Sequence, residues 1–489
     1  MMRYEAQKNI GFRYAIEALE PSSPFGRAKV TNLRFYAPDE KAELLRQLQN
    51  VHRTMQHLAS LHSDYEKLAL YMMPLKDVRR SVEACREVSL SETELFELKR
   101  FCLQSELIAP VFERVRGQSG LSGIDIRPQS EALRLLDQEN THSATFYLPD
   151  GASRTLLSIR KDKRAVEEKL RRAEGKAQRA ALMAERSNIA ALEDAEERRI
   201  REGICQSLRP LLDDLISCMD AIADFDFTLA RAKLARAYGG CMAEFTQDEL
   251  DMEDMINPRV SDSLKERGRE FTPVSLAAAK GAVLITGANM GGKSIALKTL
   301  ALNAMLVKAG LLPFAKKARM PVFDGIYLVA EDREDVERGL SSFGAEIAQF
   351  NETLDAALKA KGVCLILLDE FARGTNPEEG ALIVRAVTRR LNKLPHISVL
   401  ATHYDGVAAY AGVHYEVVGL RDMDMDAAAK EIAASGGRGA DVIARYMNYG
   451  LYRAEGLESC PRDARNICML LDMDGEILRD ISTECRTNP

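Results

Sequence analysis

No run of about 18 consecutive apolar residues occurs in the 489-residue sequence, so no segment reads as a membrane-crossing helix. The opening stretch, MMRYEAQKNIGFRYAIEALEP, lacks the apolar core of a secretory signal, and a cytoplasmic protein is expected. The nine cysteines (Cys85, Cys102, Cys205, Cys218, Cys241, Cys364, Cys460, Cys468 and Cys485) include no C-x-x-C pair and have no histidine beside them at ligand spacing. They are read as reduced thiols, which sets aside a zinc module and a disulfide framework. Excess positive charge is missing too: a net charge of −6 gives no global footprint for a nucleic acid and leaves only a local patch to serve one. What is present, 46% hydrophobic and 29% charged residues, describes a soluble globular chain long enough for two to four domains.

From Lys41 to Ile108 the apolar residues recur at helical spacing (Leu44, Leu45, Leu48, Val51, Met55, Leu58 and Leu61, then Leu90, Leu95, Leu98, Phe101 and Leu107). Pro74 and the pattern from Ser91 to Glu94 punctuate these helices, the second as a capping box. Pro149-Asp150-Gly151 marks a turn, and residues 1–155 are assigned to a helical core domain. Residues 156–204, dense in Lys, Arg, Glu and Ala, read as two antiparallel charged lever arms turning near Ser187-Asn188. The first arm is locally basic (Arg160, Lys161, Lys163, Arg164, Lys169, Arg171, Arg172, Lys176, Arg179), which suits either a solvated arm or one that grips nucleic acid. Residues 205–256 read as a helical return to the core. After Asn257 short aliphatic runs (AVLIT at 282–286, GIYLV at 325–329, VCLILL at 363–368, SVLAT at 398–402) alternate with helical stretches. The expectation is an α/β P-loop NTPase domain over 257–435, a mainly parallel sheet with helices on both faces, preceded by an all-α core and lever-arm domain. Residues 436–489 read as a C-terminal helical segment serving dimerisation.

Gly287-Ala-Asn-Met-Gly-Gly-Lys293-Ser294 completes G-x-x-x-x-G-K-[ST] directly after a predicted strand and before a predicted helix, the context this motif requires. Here Gly287, Asn289, Met290, Gly291 and Gly292 would wrap phosphates with backbone N–H groups at the positive end of a helix. Lys293 would neutralise the β and γ phosphates of ATP, and the Ser294 hydroxyl would ligate Mg2+. The VCLILL run ends in Asp369-Glu370, a carboxylate pair at the carboxyl end of a buried strand. Asp369 is the second candidate metal ligand, and Glu370 the candidate base that orients or deprotonates water.

The runs T-G-A-N-M-G-G-K-S (286–294), S-S-F-G-A-E (341–346), L-L-D-E-F-A-R-G-T-N-P-E-E-G (367–380) and A-T-H-Y (401–404) resemble, in order and spacing, the ATPase motifs of the MutS family. The likeness covers about 257–460 well, and P-S-S-P-F-G-R (21–27) with the charged arms extends it loosely into the first half. It implies a homodimer with composite sites, in which Ser341 or Ser342 reaches the γ phosphate held by the other subunit and Arg373 to Gly380 cross the interface. His403 would sense the γ phosphate or position the water. Asn257-Pro258 stands where the family usually has His-Pro, and Asn257 with Phe271 would border the adenine.

The sequence departs from the family at Ala288, where Pro is usual, and at Ile295, where Thr is common; neither change removes a phosphate ligand. A mismatch-reading Phe-x-Glu wedge is absent before residue 257, and the arms are short. Two functions therefore stand side by side: a DNA-transacting ATPase of mismatch-repair or recombination type, and an ATPase that remodels a protein client. The compact layout resembles the MutS-like factors that reactivate adenosylcobalamin-dependent aminomutases.

Overall fold

The structure, a computed structural model, describes residues 2–140, 148–287, 292–330, 342–421 and 447–454, with isolated positions between 423 and 432 and between 468 and 479. The helices before the first strand are α1 (Tyr4–Asn9), α2 (Phe12–Glu17), α3 (Pro24–Thr31), α4 (Lys41–His57), α5 (His62–Met72), α6 (Arg79–Ala84), α7 (Glu92–Ser119), α8 (Ser130–Leu136), α9 (Arg154–Arg172), α10 (Lys176–Leu208) and α11 (Leu212–Ala237). No described helix is long and apolar enough to cross a membrane. The chain divides into two units, one of Glu20–Asn32 with Gln56–Ala230, the other of Met1–Leu19, Leu33–Met55 and Arg231–Pro489.

The first of these units is helical. Its core gathers Tyr65, Phe112 and Phe225, with Phe225 6.4 Å from the Tyr65 ring and 5.1 Å from Phe112. The predicted capping box opens α7: the Ser91 N–H donates to Glu94 Oε2 at 2.8 Å and the Glu94 N–H returns to Ser91 Oγ. Leu107, counted above with the apolar stripe, is 47% exposed instead. The P-S-S-P-F-G-R run forms the start of α3. Buried Asp226 accepts the N–H groups of Ser22 and Ser23 and the Ser23 hydroxyl at 2.6–2.9 Å, and Ser23 Oγ accepts the Gly26 N–H. Glycine is required at 26 because a Cβ there would lie 2.3 Å from Asp226 Oδ2. The charged arms are α9 and α10, but they turn at residues 173–175, where Gly175 leads into α10. Ser187 and Asn188 lie inside α10, carried along by the good helix formers around them.

The second unit takes in residues that the sequence assigned to the helical core, Met1–Leu19 and Leu33–Met55. Hydrogen bonds explain it: the Asn257 amide donates to Ile10 O at 3.0 Å, and Asp262 accepts both Tyr14 and Tyr238 hydroxyls. Lys308 Nζ donates to Tyr36 O and Phe323 O. Within 205–256 the helix ends at Ala237, and β1 (Ala243–Phe245) and β2 (Glu249–Met255) follow. After α12 (Pro258–Glu266) come β3 (Val274–Ala279), β4 (Gly281–Thr286), α13 (Lys293–Lys308), β5 (Lys317–Met320), β6 (Ile326–Val329), α14 (Ser342–Lys359), β7 (Leu365–Asp369), α15 (Pro377–Leu391), β8 (Ile397–Ala401), β9 (Val413–Gly419) and β10 (Asn448–Arg453). At β10 the chain is thus extended where a helical segment was expected; most of 436–489 lies outside the described residues.

Two sheets result. β1-β5-β2-β3 is mixed, and β10-β9-β4-β8-β7-β6 is parallel from β9 to β6 with β10 antiparallel at its edge. In the larger sheet Ala282, Leu284, Ile366, Leu368 and Leu400 join one core with Phe350 and Ala357 of α14 and Val384 and Leu391 of α15. Their alternates Val283, Ile285, Leu365, Leu367 and Val399 are equally buried, on the side that α13 contacts. Burial of both alternating sets requires cover on both faces, which is why these strands read as unbroken aliphatic runs.

Candidate functional site

β4 delivers the chain into the glycine-rich loop at the carboxyl edge of the sheet. Gly287 has φ +139°, and a Cβ there would sit 3.0 Å from Val417 Cβ. Gly292 has φ +86° and caps α13; a Cβ would lie 2.8 Å from Tyr449 Cδ1. Both positions need glycine for conformation and for room. Asn289, Met290 and Gly291 lie outside the described residues, as does Ser341; of Ser342 only its place as the first residue of α14 is described.

Lys293 begins α13 with its side chain 2% exposed. Its Nζ donates to Gly287 O at 2.6 Å, across the mouth of the loop, and lies 3.8 Å from Glu370 Oε1. One residue on, Ser294 Oγ donates to Asp369 Oδ1 at 2.7 Å. Burial pushes the Asp369 carboxyl up, with the Ser294 bond acting against it. The half-buried Asp369 carboxylate and the Ser294 hydroxyl, held together, offer two oxygen donors of the kind a hard divalent cation such as Mg2+ takes.

β8 lies between β4 and β7, so three strand ends meet here. The Glu370 N–H donates to Ala401 O at 3.0 Å, and Arg373 Nη1 donates to Glu370 Oε2 at 3.0 Å. Glu370 (φ +52°) and Ala372 (φ +63°) both sit in the left-handed region, at a cost of order 1–3 kcal/mol each. His403 lies two residues past β8, its ring 4.5 Å from that of Tyr404. Its Nδ1 is buried without a hydrogen-bond partner among the described residues. Burial lowers its pKa; Glu370 raises it, and Lys293 and Arg373 lower it further, so it stands neutral among the groups around the phosphate loop.

The structure therefore brings together Lys293, Ser294, Asp369, Glu370 and His403, and places Gly287 and Gly292 at the two ends of the loop. Asn257 is elsewhere engaged: it is 2% exposed, leads into α12, and holds Ile10 O. Phe271 is half-buried ahead of β3, and no described contact joins it to the phosphate loop. Sequence reasoning missed Val417 and Tyr449, which pack on the loop glycines from β9 and β10. It also missed His414, whose Nε2 lies 2.8 Å from Thr286 Oγ1 beneath the loop.

Arg160 is 7% exposed, and its guanidinium bonds Asp150, Glu193, Glu197 and Leu148 O at 2.7–3.0 Å. Lys163 pairs with Glu193, and Arg164 with Asp150 at 2.7 Å. Three of the basic residues that made a phosphate grip conceivable thus fasten α9 to α10 and to the turn before it. Lys161, Lys169, Arg171, Arg172, Lys176 and Arg179 are exposed, and so is Arg164 despite its pair with Asp150.

A glycine-rich loop between a buried strand and a helix, with a lysine opening that helix and an acid pair at the end of a nearby parallel strand, defines a P-loop nucleotide-binding domain. The family model "MutS domain V" matches residues 283–462. Over that stretch the chain carries a MutS-family ATPase domain. Curated relatives named "Endonuclease MutS2" include those of Thermomicrobium roseum (31% identical over 244 residues, 46% of this chain and 29% of that protein) and Symbiobacterium thermophilum (31% over 225 residues, 46% and 27%). Another, from Fusobacterium nucleatum, is 30% identical over 238 residues, 48% of this chain and 29% of that protein. The chain thus spans under a third of the length of these relatives.

Proposed function

We propose that this protein hydrolyses ATP with Mg2+ as a homodimeric motor and spends the energy on remodelling a protein client, of which a cobalamin-dependent aminomutase is the candidate. The observation that carries hydrolysis is the meeting of Ser294, Asp369, Glu370 and Lys293 at one edge of the sheet. Lys293, at the first turn of α13, binds and orients the phosphates. Ser294 and Asp369 hold the magnesium, which when bound would offset phosphate charge. Glu370 takes up the proton of the attacking water, and neutral His403 orients that water or the γ phosphate. Ser341 or Ser342 of the partner subunit completes the site.

The protein-client reading is supported by the ion pairs that tie Arg160 and Lys163 to α10 and by the net charge of −6. The DNA-acting reading draws on the name borne by the relatives and on the bases of α9 that stay exposed. Affinity purification with Glu370→Gln, which would hold ATP without turning it over, separates them. A stoichiometric protein that stays bound after nuclease treatment supports remodelling, and an untreated complex that holds nucleic acid alone overturns it.

A further inference from the structure

Four non-glycine residues among those described have a positive φ, and two of them, Glu370 and Ala372, fall within three positions beside the acid pair. Such a backbone persists only where its surroundings over-determine it. Ala372 is wholly buried, and side chains far away in sequence take both of its backbone groups. Its N–H donates to Glu346 Oε2 at 2.9 Å, and its carbonyl accepts the Tyr404 hydroxyl at 2.8 Å. Glu346 and Tyr404 are themselves 6% and 7% exposed, so neither bond competes with bulk water. Between the two left-handed residues, Phe371 packs on Phe350 of α14 with ring centroids 5.2 Å apart. Gly380, in the first turn of α15, makes the space: a Cβ there would lie 2.4 Å from the Tyr404 hydroxyl oxygen and 3.0 Å from Ala372 O.

We propose that Glu346 and Tyr404 are positioning residues that grip Ala372 from opposite sides and thereby fix the backbone from which Glu370 reaches the attacking water. The proposal rests on Glu370 being the residue that activates that water. Glu346 lies one turn beyond Ser342, where α14 begins, and Tyr404 directly follows His403. A shift at the start of α14, where the partner's nucleotide is read, reaches Glu370 of the same subunit through one buried hydrogen bond. Neither residue carries phosphate or metal, so their loss moves turnover rather than binding.

The test compares steady-state ATP hydrolysis with the affinity for a fluorescent ATP analogue in the full-length chain, using Glu346→Ala, Glu346→Gln, Tyr404→Phe and Glu370→Gln. Misplacing a catalytic group by an ångström costs up to about a hundredfold, so Glu346→Ala and Tyr404→Phe are expected to lower kcat by about tenfold or more with KM and analogue affinity within about twofold. Glu346→Gln, whose amide oxygen accepts the same N–H, restores kcat to within about threefold of the native value. Should Glu346→Ala fail to fold, Tyr404→Phe and Glu346→Gln carry the comparison. A kcat for Tyr404→Phe or for folded Glu346→Ala equal to the native value, beside an inactive Glu370→Gln, overturns the clamp alone. Native turnover by Glu370→Gln overturns the site reading and the clamp with it.

Discussion

Ser294 in the first turn of α13 and Asp369 at the end of β7 share a 2.7 Å hydrogen bond that fixes both at the place a cation would take. Asp369→Asn keeps a group able to accept that bond and removes the charge. Nucleotide binding in a chelator is expected to match the native protein, whereas the strengthening of binding by added Mg2+ and the hydrolysis itself are lost. Titration calorimetry with and without Mg2+ checks this, and undiminished magnesium dependence in the variant removes Asp369 from the metal site.

Composite sites predict complementation. A Lys293→Ala chain mixed with a Ser341→Ala/Ser342→Ala chain yields heterodimers with one intact site, so an equal mixture of two inactive proteins should regain about a quarter of native activity. Zero activity at every ratio, with exchange verified by differently tagged subunits, rules out the arrangement in trans.

Burial lowers the pKa of His52, His403 and His414, all in the unit that carries the phosphate loop. Unfolded, each titrates near 6.5; folded, each holds its neutral form to lower pH. The unfolded chain therefore binds more protons as pH falls, so this stability is complete above about pH 6.5 and is lost on acidification toward the folded pKa values. Thermal melts are expected to drop from pH 7.5 to pH 6, and His414→Gln should show a smaller drop. An equal drop in that variant excludes His414 as a contributor.

Arg160→Met would leave Glu193 and Glu197 without the guanidinium that now binds both. Breaking a buried ion pair from one side costs about 3–5 kcal/mol, so urea unfolding followed by helical circular dichroism should show a loss of that order. Lys161→Met, at an exposed neighbour, should change stability by no more than about 0.5 kcal/mol. If the two variants match, the arm network contributes nothing measurable.

The phosphate loop and the acid pair were legible because their chemistry is carried by local runs: a glycine-rich turn after four aliphatic residues, and Asp369-Glu370 closing another such strand. The larger sheet was legible for the same reason, since its strands are buried on both faces. The smaller sheet was not. β2 reads E-L-D-M-E-D-M, burying Leu250, Met252 and Met255 between carboxylates, and β3 is half alanine, so neither looks like a strand in isolation. The turn between the arms escaped because Ser187-Asn188 carries the stronger turn composition, yet the helix continues through it. Glu346 and Tyr404 stood inside quoted motifs without a role, since their partner is a backbone group that no side-chain pattern announces.

α10 runs for 33 residues without a break, about 50 Å at 1.5 Å per residue. It is stitched to α9 by Arg160 with Glu193 and Glu197 near its middle and by Arg186 with Glu167 about two turns nearer its start. Crosslinks at two heights oppose sliding of one helix along the other, the partly buried Arg160 network more strongly than the exposed Arg186 pair. The gain of α10 is geometric: pivoting by about 10° at Leu208 would sweep the far end through about 9 Å, converting a side-chain-sized displacement at the base into one the width of a helix.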